Sequence, residues 1–130
     1  MVITRAVTIE LLDEIQDGFN RHDVDAILSF FATDCEWLMA RGPDPWEAKR
    51  LHGKQAIGDV LRSRYSQIPD MRWEDMTHFI SPDGAKACSE WTVRGTPNDG
   101  SPVLEYLGCD VWTFVNGEVV KKDTYWKFIG

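Results

Sequence analysis

Two segments of helical period open the chain. Ile9, Leu12, Ile15 and Phe19 recur at helical spacing behind Thr8, and Val24, Ile27, Leu28 and Phe31 do so behind Asp23. Thr and Asp both suit the position before a helix, because their side-chain oxygens accept hydrogen bonds from amides of the first turn. Two short helices are predicted, with "FNRHD" as the turn between them. "CEWLM" (35–39) reads as a strand, and the Pro-rich "RGPDPWEAKRLHG" that follows is expected to be an irregular loop long enough to rim a pocket. A third helix follows Gly53, carries Ile57, Val60, Leu61 and Tyr65 on one face, and ends before Pro69. The residue before a proline is steered away from the helical region.

From Met71 onward the period changes to 2, and "SPDG" (81–84), "GTPNDGSP" (95–102) and "NG" (116–117) punctuate the runs. Asn116-Gly117 is the strongest of these signals, because a two-residue type I′ hairpin turn needs positive φ at both positions. Ala85, Ala87, Ser89, Trp91 and Val93 alternate with Lys86, Cys88, Glu90, Thr92 and Arg94, so this strand has one dry face and one wet face. His78 lies on the strand whose other face carries Trp73, Asp75, Thr77 and Phe79. Helices first and antiparallel strands afterwards predict an α+β fold, here one domain over 1–130, with a curved sheet wrapped around the helices.

One residue breaks the hydrophobic pattern. Tyr106, Gly108, Asp110, Trp112 and Phe114 share a face, and a carboxylate facing an apolar interior must be paired, hydrogen-bonded or neutralised. Two outcomes stay open for Asp110. Desolvation by Gly108 and Trp112 would raise its pKa and leave it a proton donor; a buried Trp indole or backbone amides would instead hold it as an ionised acceptor.

The net charge of −7 opposes binding to nucleic acids and anionic membranes. No apolar run approaches the roughly 20 residues that span a bilayer, and "MVITRAVTIELLDE" lacks the unbroken apolar core of a signal peptide. A cytoplasmic protein is expected. Cys35, Cys88 and Cys109 show neither disulfide nor zinc spacing and read as small apolar residues. No His cluster has metal-ligand spacing and no nucleotide-binding loop occurs, so neither metal nor cofactor is expected.

The order of elements, "HGKQAI" before the third helix, and the ending "GCDVWTFVNGEVVKKDTYWKF" resemble the superfamily of nuclear transport factor two, scytalone dehydratase, ketosteroid isomerase and the SnoaL-like polyketide cyclases. The resemblance covers nearly the whole chain. It implies a cone of three N-terminal helices packed in a curved, mixed, mostly antiparallel sheet, with a pocket at the open end. From ketosteroid isomerase it implies a protonated carboxylic acid at Asp110 that donates to a substrate oxyanion, and a pocket tryptophan at Trp126. The general base of that enzyme would fall near Met39 and its oxyanion tyrosine near Ile15, so a typical ketosteroid isomerase is not implied. Epoxide hydrolases of this fold place an Asp where this chain has Thr124. Asp123 is one residue away, and such an offset turns a strand side chain to the other face. SnoaL-type cyclases use a pocket acid and base, here Asp110 with His78 or His52.

Trp37, Trp91, Trp112 and Trp126 fall on predicted strands, where they either pack the core or stack on a flat ligand. Trp46 sits in the Pro-rich loop at a position suited to a pocket rim. His52 and His78 are candidate bases because imidazole titrates near neutrality, and His22 in the turn is a weaker one. Ser89 and Thr124 are expected to face inward and orient a ligand oxygen. Lys121, Lys122 and Lys127, with Asp123 between, are expected to make an exposed edge or interface surface rather than a catalytic cluster. Val111, Val119, Tyr125 and Ile129 are read as an outward apolar face buried in a homodimer. The resulting expectation is a pocket lined by Trp37, Trp91, Asp110, Trp112, Thr124 and Trp126 that takes a small hydrophobic, oxygen-bearing molecule. The function is then a cofactor-free acid/base isomerase, cyclase or dehydratase, or else a non-catalytic binding or dimerisation module.

Overall fold

The computed structural model describes residues 5–44, 46 and 48–128. Among them the chain forms α1 (Ile9–Asn20), α2 (Val24–Ser29), β1 (Phe31–Met39), β2 (Lys49–His52), α3 (Lys54–Gln67), β3 (Arg72–Ile80), β4 (Lys86–Gly95), β5 (Leu104–Val115) and β6 (Glu118–Trp126). The helix starts follow the local chemistry: the Thr8 side chain accepts from the Leu11 amide and that of Asp23 from the Ala26 amide. Gly53 precedes α3 at φ 85°, which glycine adopts at little cost. The turn between α1 and α2 is tied down by His22, whose ring stacks on Tyr65 at 3.9 Å and whose Nε2 lies 2.6 Å from the Met71 carbonyl. That accounts structurally for His22.

The strands form one sheet in the order β2-β1-β6-β5-β4-β3, antiparallel at every pairing except β1 with β6. Three helices and a curved, open, mixed sheet, two of whose strands (β1 and β2) precede α3, give the expected α+β fold. Leu11, Leu12, Ile15 and Phe19 of α1 and Ile57, Leu61 and Tyr65 of α3 pack against Trp37, Trp73, Trp91, Trp112 and Phe114 of the sheet.

Four expectations are corrected. The Pro-rich stretch is not wholly irregular, because its end forms β2, paired to Glu36–Met39 of β1; as an exposed edge strand it needs no apolar alternation. In β3, Asp75 takes φ 56° and the ladder jumps from Glu74↔Thr92 to Thr77↔Glu90. This bulge puts two residues of β3 against one of β4, so Trp73 and His78 face the same interior rather than opposite sides. A second bulge shifts the β5–β6 register from Phe114↔Val119 to Thr113↔Lys121. Consequently Val119 is fully buried instead of lying on the outward face, where Tyr125 does project. Ile129, also assigned to that face, lies outside the described residues. The same bulge turns Lys122 inward to 5% exposure, against the expectation of an exposed lysine edge.

Candidate active site

The centre of the site is a closed hydrogen-bond network around Asp110. This residue is 2% exposed. Its Oδ1 accepts from Lys122 Nζ at 2.9 Å and from Thr124 Oγ1 at 2.6 Å, and its Oδ2 accepts from the Trp91 indole at 3.0 Å. Thr124 Oγ1 also receives the Trp37 indole at 2.8 Å and a second Lys122 N–H at 2.9 Å. A hydroxyl has one donor and two acceptor sites, so Thr124 is saturated. Sheet register explains the meeting: Asp110 faces Thr124 directly, Trp112 faces Lys122, and Trp91 reaches Asp110 diagonally from its place opposite Gly108. Of the two outcomes open for Asp110, the structure realises the acceptor from a buried indole, with an ammonium added.

Lys122 is held among ring faces, 4.3 Å from the centroid of Trp37, 5.3 Å from Phe19 and 5.7 Å from Trp112. Burial lowers its pKa, while Asp110 opposes that by attraction and hydrogen bonding and Arg64 adds repulsion. An ammonium has three donors and two are used within the network. The third meets no acceptor among the described residues, and Lys122 borders a narrow space.

That space is a void of about 10 Å³ bordered by Lys122, Trp91, Trp73 and Phe19. It shares Trp37, Arg64, Thr124 and Trp126 with a cavity of about 240 Å³ that Phe128 and Met39 help to wall. The residues expected to line one pocket are divided among different surroundings. Trp37, Thr124 and Trp126 border the cavity and Trp91 borders the deeper void, but Asp110 stands behind Lys122 and Trp112 is packed in the core. Trp46, 87% exposed, rims a different hollow of about 860 Å³ over the outer side of β6 with Asp123 and Tyr125. That hollow is the larger one, yet no part of the Asp110–Lys122 pair borders it.

The two histidines do not join Asp110. His52 lies on β2 with Nε2 3.0 Å from Asp34 Oδ1, both side chains exposed. His78 bridges Asp13 Oδ1 at 3.0 Å and Ser89 Oγ at 2.8 Å, and the Trp112 indole donates to the same hydroxyl at 3.0 Å. Asp13 can only accept, so His78 donates to it from Nε2, and in a neutral imidazole Ser89 then donates to Nδ1. Ser89 is fully buried, so this relay ties α1 to β3 and β4 and presents no nucleophile to a substrate. Ser89→Ala removes the shared hydroxyl from His78 and Trp112 and is expected to lower unfolding free energy by about 1–3 kcal/mol, measurable by urea denaturation at neutral pH.

Two site residues escaped the sequence reading. Lys122 was two positions from an inward Thr124, which was a usable signal. Arg64 lies three residues after Leu61 and beside Tyr65, within the apolar stripe of α3. A cation in such a stripe marks either a buried pair or a pocket.

A family model, the SnoaL-like domain, matches residues 12–122. The chain belongs to that family. Among solved structures, this SnoaL-like domain is similar to a proposed polyketide cyclase of Xanthomonas campestris (TM-score 0.77, 21% identity, covering 91% of this chain and 88% of that one). A proposed polyketide cyclase of Pseudomonas putida gives TM-score 0.78 at 19% identity over 98% and 93%. SalBIII, an epoxide hydrolase/cyclase-like enzyme of pyran ring formation in the polyether salinomycin, gives TM-score 0.75 at 20% identity over 92% and 89%. At these identities the likeness is one of fold. The comparison with curated proteins finds no match. Among the described residues, no helix of the SnoaL-like domain is long and apolar enough to cross a membrane.

Proposed function

We propose that this SnoaL-like domain binds a small, largely apolar, oxygen-bearing compound between Trp37, Trp126 and Phe128. On this reading it acts by cofactor-free acid/base chemistry of the isomerase, cyclase or dehydratase kind. The observation that carries the proposal is the titratable pair beside the narrow void that adjoins the cavity, Lys122 at 2.9 Å from Asp110. A lone carboxylate serves a binder as well as an enzyme, whereas proton transfer needs a second titratable group within hydrogen-bond reach. Because Asp110 sits behind Lys122, protons exchanged with a ligand pass through the amine. Burial lowers the Lys122 pKa against the pull of Asp110, so the amine exchanges one proton with the ligand: as the neutral amine it takes the α-proton while the C–H electron pair passes into the enolate, and the ammonium so formed, stabilised by Asp110, donates to the enolate oxygen and then returns the proton. Such a preorganised donor stabilises negative charge that develops on the oxygen as a neighbouring C–H or C–O bond breaks. Likeness to two proposed polyketide cyclases and to a pyran-forming enzyme supports a cyclase among the three reactions.

A second reading, a binding module without turnover, is favoured by one observation: both Asp110 oxygens and the Thr124 hydroxyl are already engaged. Deuterium exchange separates the two. Incubating the protein in D2O with a panel of aryl ketones should exchange the protons α to the carbonyl above the buffer rate, read by NMR. The double variant Asp110→Asn/Lys122→Met should still bind, as shown by a raised melting temperature, but exchange nothing. Binding without exchange in the wild type would leave the second reading standing.

A further inference from the structure

The charges around the cavity run against those of the chain. Acidic residues outnumber Lys and Arg 21 to 14 in the sequence, yet among the described residues the cavity is bordered by Arg41, Lys49 and Arg64 and by no acidic side chain. At the adjoining void lies Lys122, whose one ion-pair partner among the described residues is Asp110. Arg64 is the telling member. Its guanidinium faces the Trp37 ring at 5.4 Å and the Trp126 ring at 6.0 Å, and no carboxylate among the described residues lies at ion-pair distance from it. On the exposed side of the same helix, Arg62 meets Asp25 at 3.4 Å and Asp59 at 3.7 Å. Burial pulls the Arg64 pKa down, and the Asp110 charge that partly opposes this is already committed to Lys122 and Thr124. Arg64 at the cavity and Lys122 at the void beside it are therefore two cations with one carboxylate, Asp110, bonded to either of them among the described residues, and a partly buried charge left unpaired is costly.

We infer that the cavity selects a planar aromatic carboxylate of one or two rings, its ring stacked between Trp37, Trp126 and Phe128 and its carboxylate held by the Arg64 fork. This rests on the reading of the cavity as a ligand site and names the class of ligand it takes. Guanidinium presents parallel N–H donors that match a carboxylate in two-point contact, which a neutral carbonyl cannot use in full. Size is consistent: an apolar cavity of about 150 Å³ accepts benzene in another protein, so about 240 Å³ accommodates a substituted ring or a fused pair. Arg41, whose guanidinium lies 4.1 Å from the Phe128 centroid, and Lys49 stand near the mouth and draw the anion in.

The test compares 2-naphthoate with 2-naphthamide, which has the same shape and no charge, by isothermal titration calorimetry on the wild type and on Arg64→Met, with folding of the variant checked by circular dichroism and melting temperature. Naphthoate should bind at least tenfold more tightly than the amide to the wild type, and this preference should vanish in Arg64→Met while amide binding is retained. Equal or tighter binding of the amide to the wild type overturns the carboxylate assignment and leaves the cavity reading intact. A naphthoate preference that survives undiminished in Arg64→Met overturns the role of Arg64. Failure of both compounds, together with a panel of aryl ketones, to bind the wild type overturns the ligand site itself and this inference with it. The wild-type comparison decides the matter even if Arg64→Met does not fold.

Discussion

Replacing Lys122 with Met lowers the unfolding free energy by about 3–5 kcal/mol, and replacing Asp110 with Asn in the same chain restores most of that loss. The single change leaves a 2%-exposed carboxylate facing only Thr124 and the Trp91 indole, and breaking a buried ion pair from one side is costly because the surviving charge has no solvent to return to. The double change removes both charges and keeps the side-chain volumes, and a buried pair replaced as a unit is often close to neutral in stability. Urea denaturation of the wild type, both single variants and the double variant closes the cycle, and a coupling energy near zero would show that the two side chains act independently. The pH dependence adds a second signature. Unfolded Lys122 keeps its proton up to its ordinary value of 10.5, whereas the folded protein gives it up earlier because burial lowers the pKa. Between those two values the unfolded state binds more protons, so this group makes the wild type gain stability as pH rises. Lys122→Met lacks that gain. The raised pKa of buried Tyr65 acts in the opposite sense, since the folded state then holds a proton that the unfolded state has released. It does so in both proteins and cancels in the difference.

Gly108→Ala is expected to cost about 3 kcal/mol although it adds one methyl group. A Cβ built at Gly108 meets the Tyr125 carbonyl oxygen of β6 and lies 2.8 Å from two ring atoms of Trp91. The backbone of the neighbouring strand cannot yield without opening the ladder, and overpacking of this kind costs about 1–3 kcal/mol. Displacing Trp91 also withdraws its indole from Asp110, and a hydrogen bond to a charged group contributes about 1.5–3 kcal/mol. Thermal unfolding followed by tryptophan fluorescence should show a lowered midpoint and an altered native spectrum. An unchanged midpoint would mean that Trp91 is not held where the network places it. The glycine is required by this close approach and not by a turn.

Much of the frame was legible without coordinates, for local reasons. Thr8 and Asp23 cap helices through bonds to amides three residues away, the stripes of α1 and α3 follow from 3.6 residues per turn, and Asn116-Gly117 closes its hairpin because both residues accept positive φ. Asp110 was recognisable as a buried carboxylate in need of partners because its own strand places it between Gly108 and Trp112. What that carboxylate meets depended on other strands. A two-residue turn at Asn116-Gly117 pairs Val115 with Glu118 and Phe114 with Val119; carried on without interruption, it would set Lys122 opposite Val111. The bulge between Phe114 and Thr113 moves every later pair by one place and brings Lys122 opposite Trp112 and Thr124 opposite Asp110. The bulge in β3 likewise turns His78 toward Asp13 and Ser89. Helix caps, apolar stripes and turn type are settled by residues within one turn of each other, and the sequence by itself determined them. A strand's face is a parity that one inserted residue reverses, so only the tertiary structure decided that Asp110 faces Lys122; and only the packing of α3 against the sheet decided that Arg64 borders the cavity without a carboxylate at ion-pair distance among the described residues.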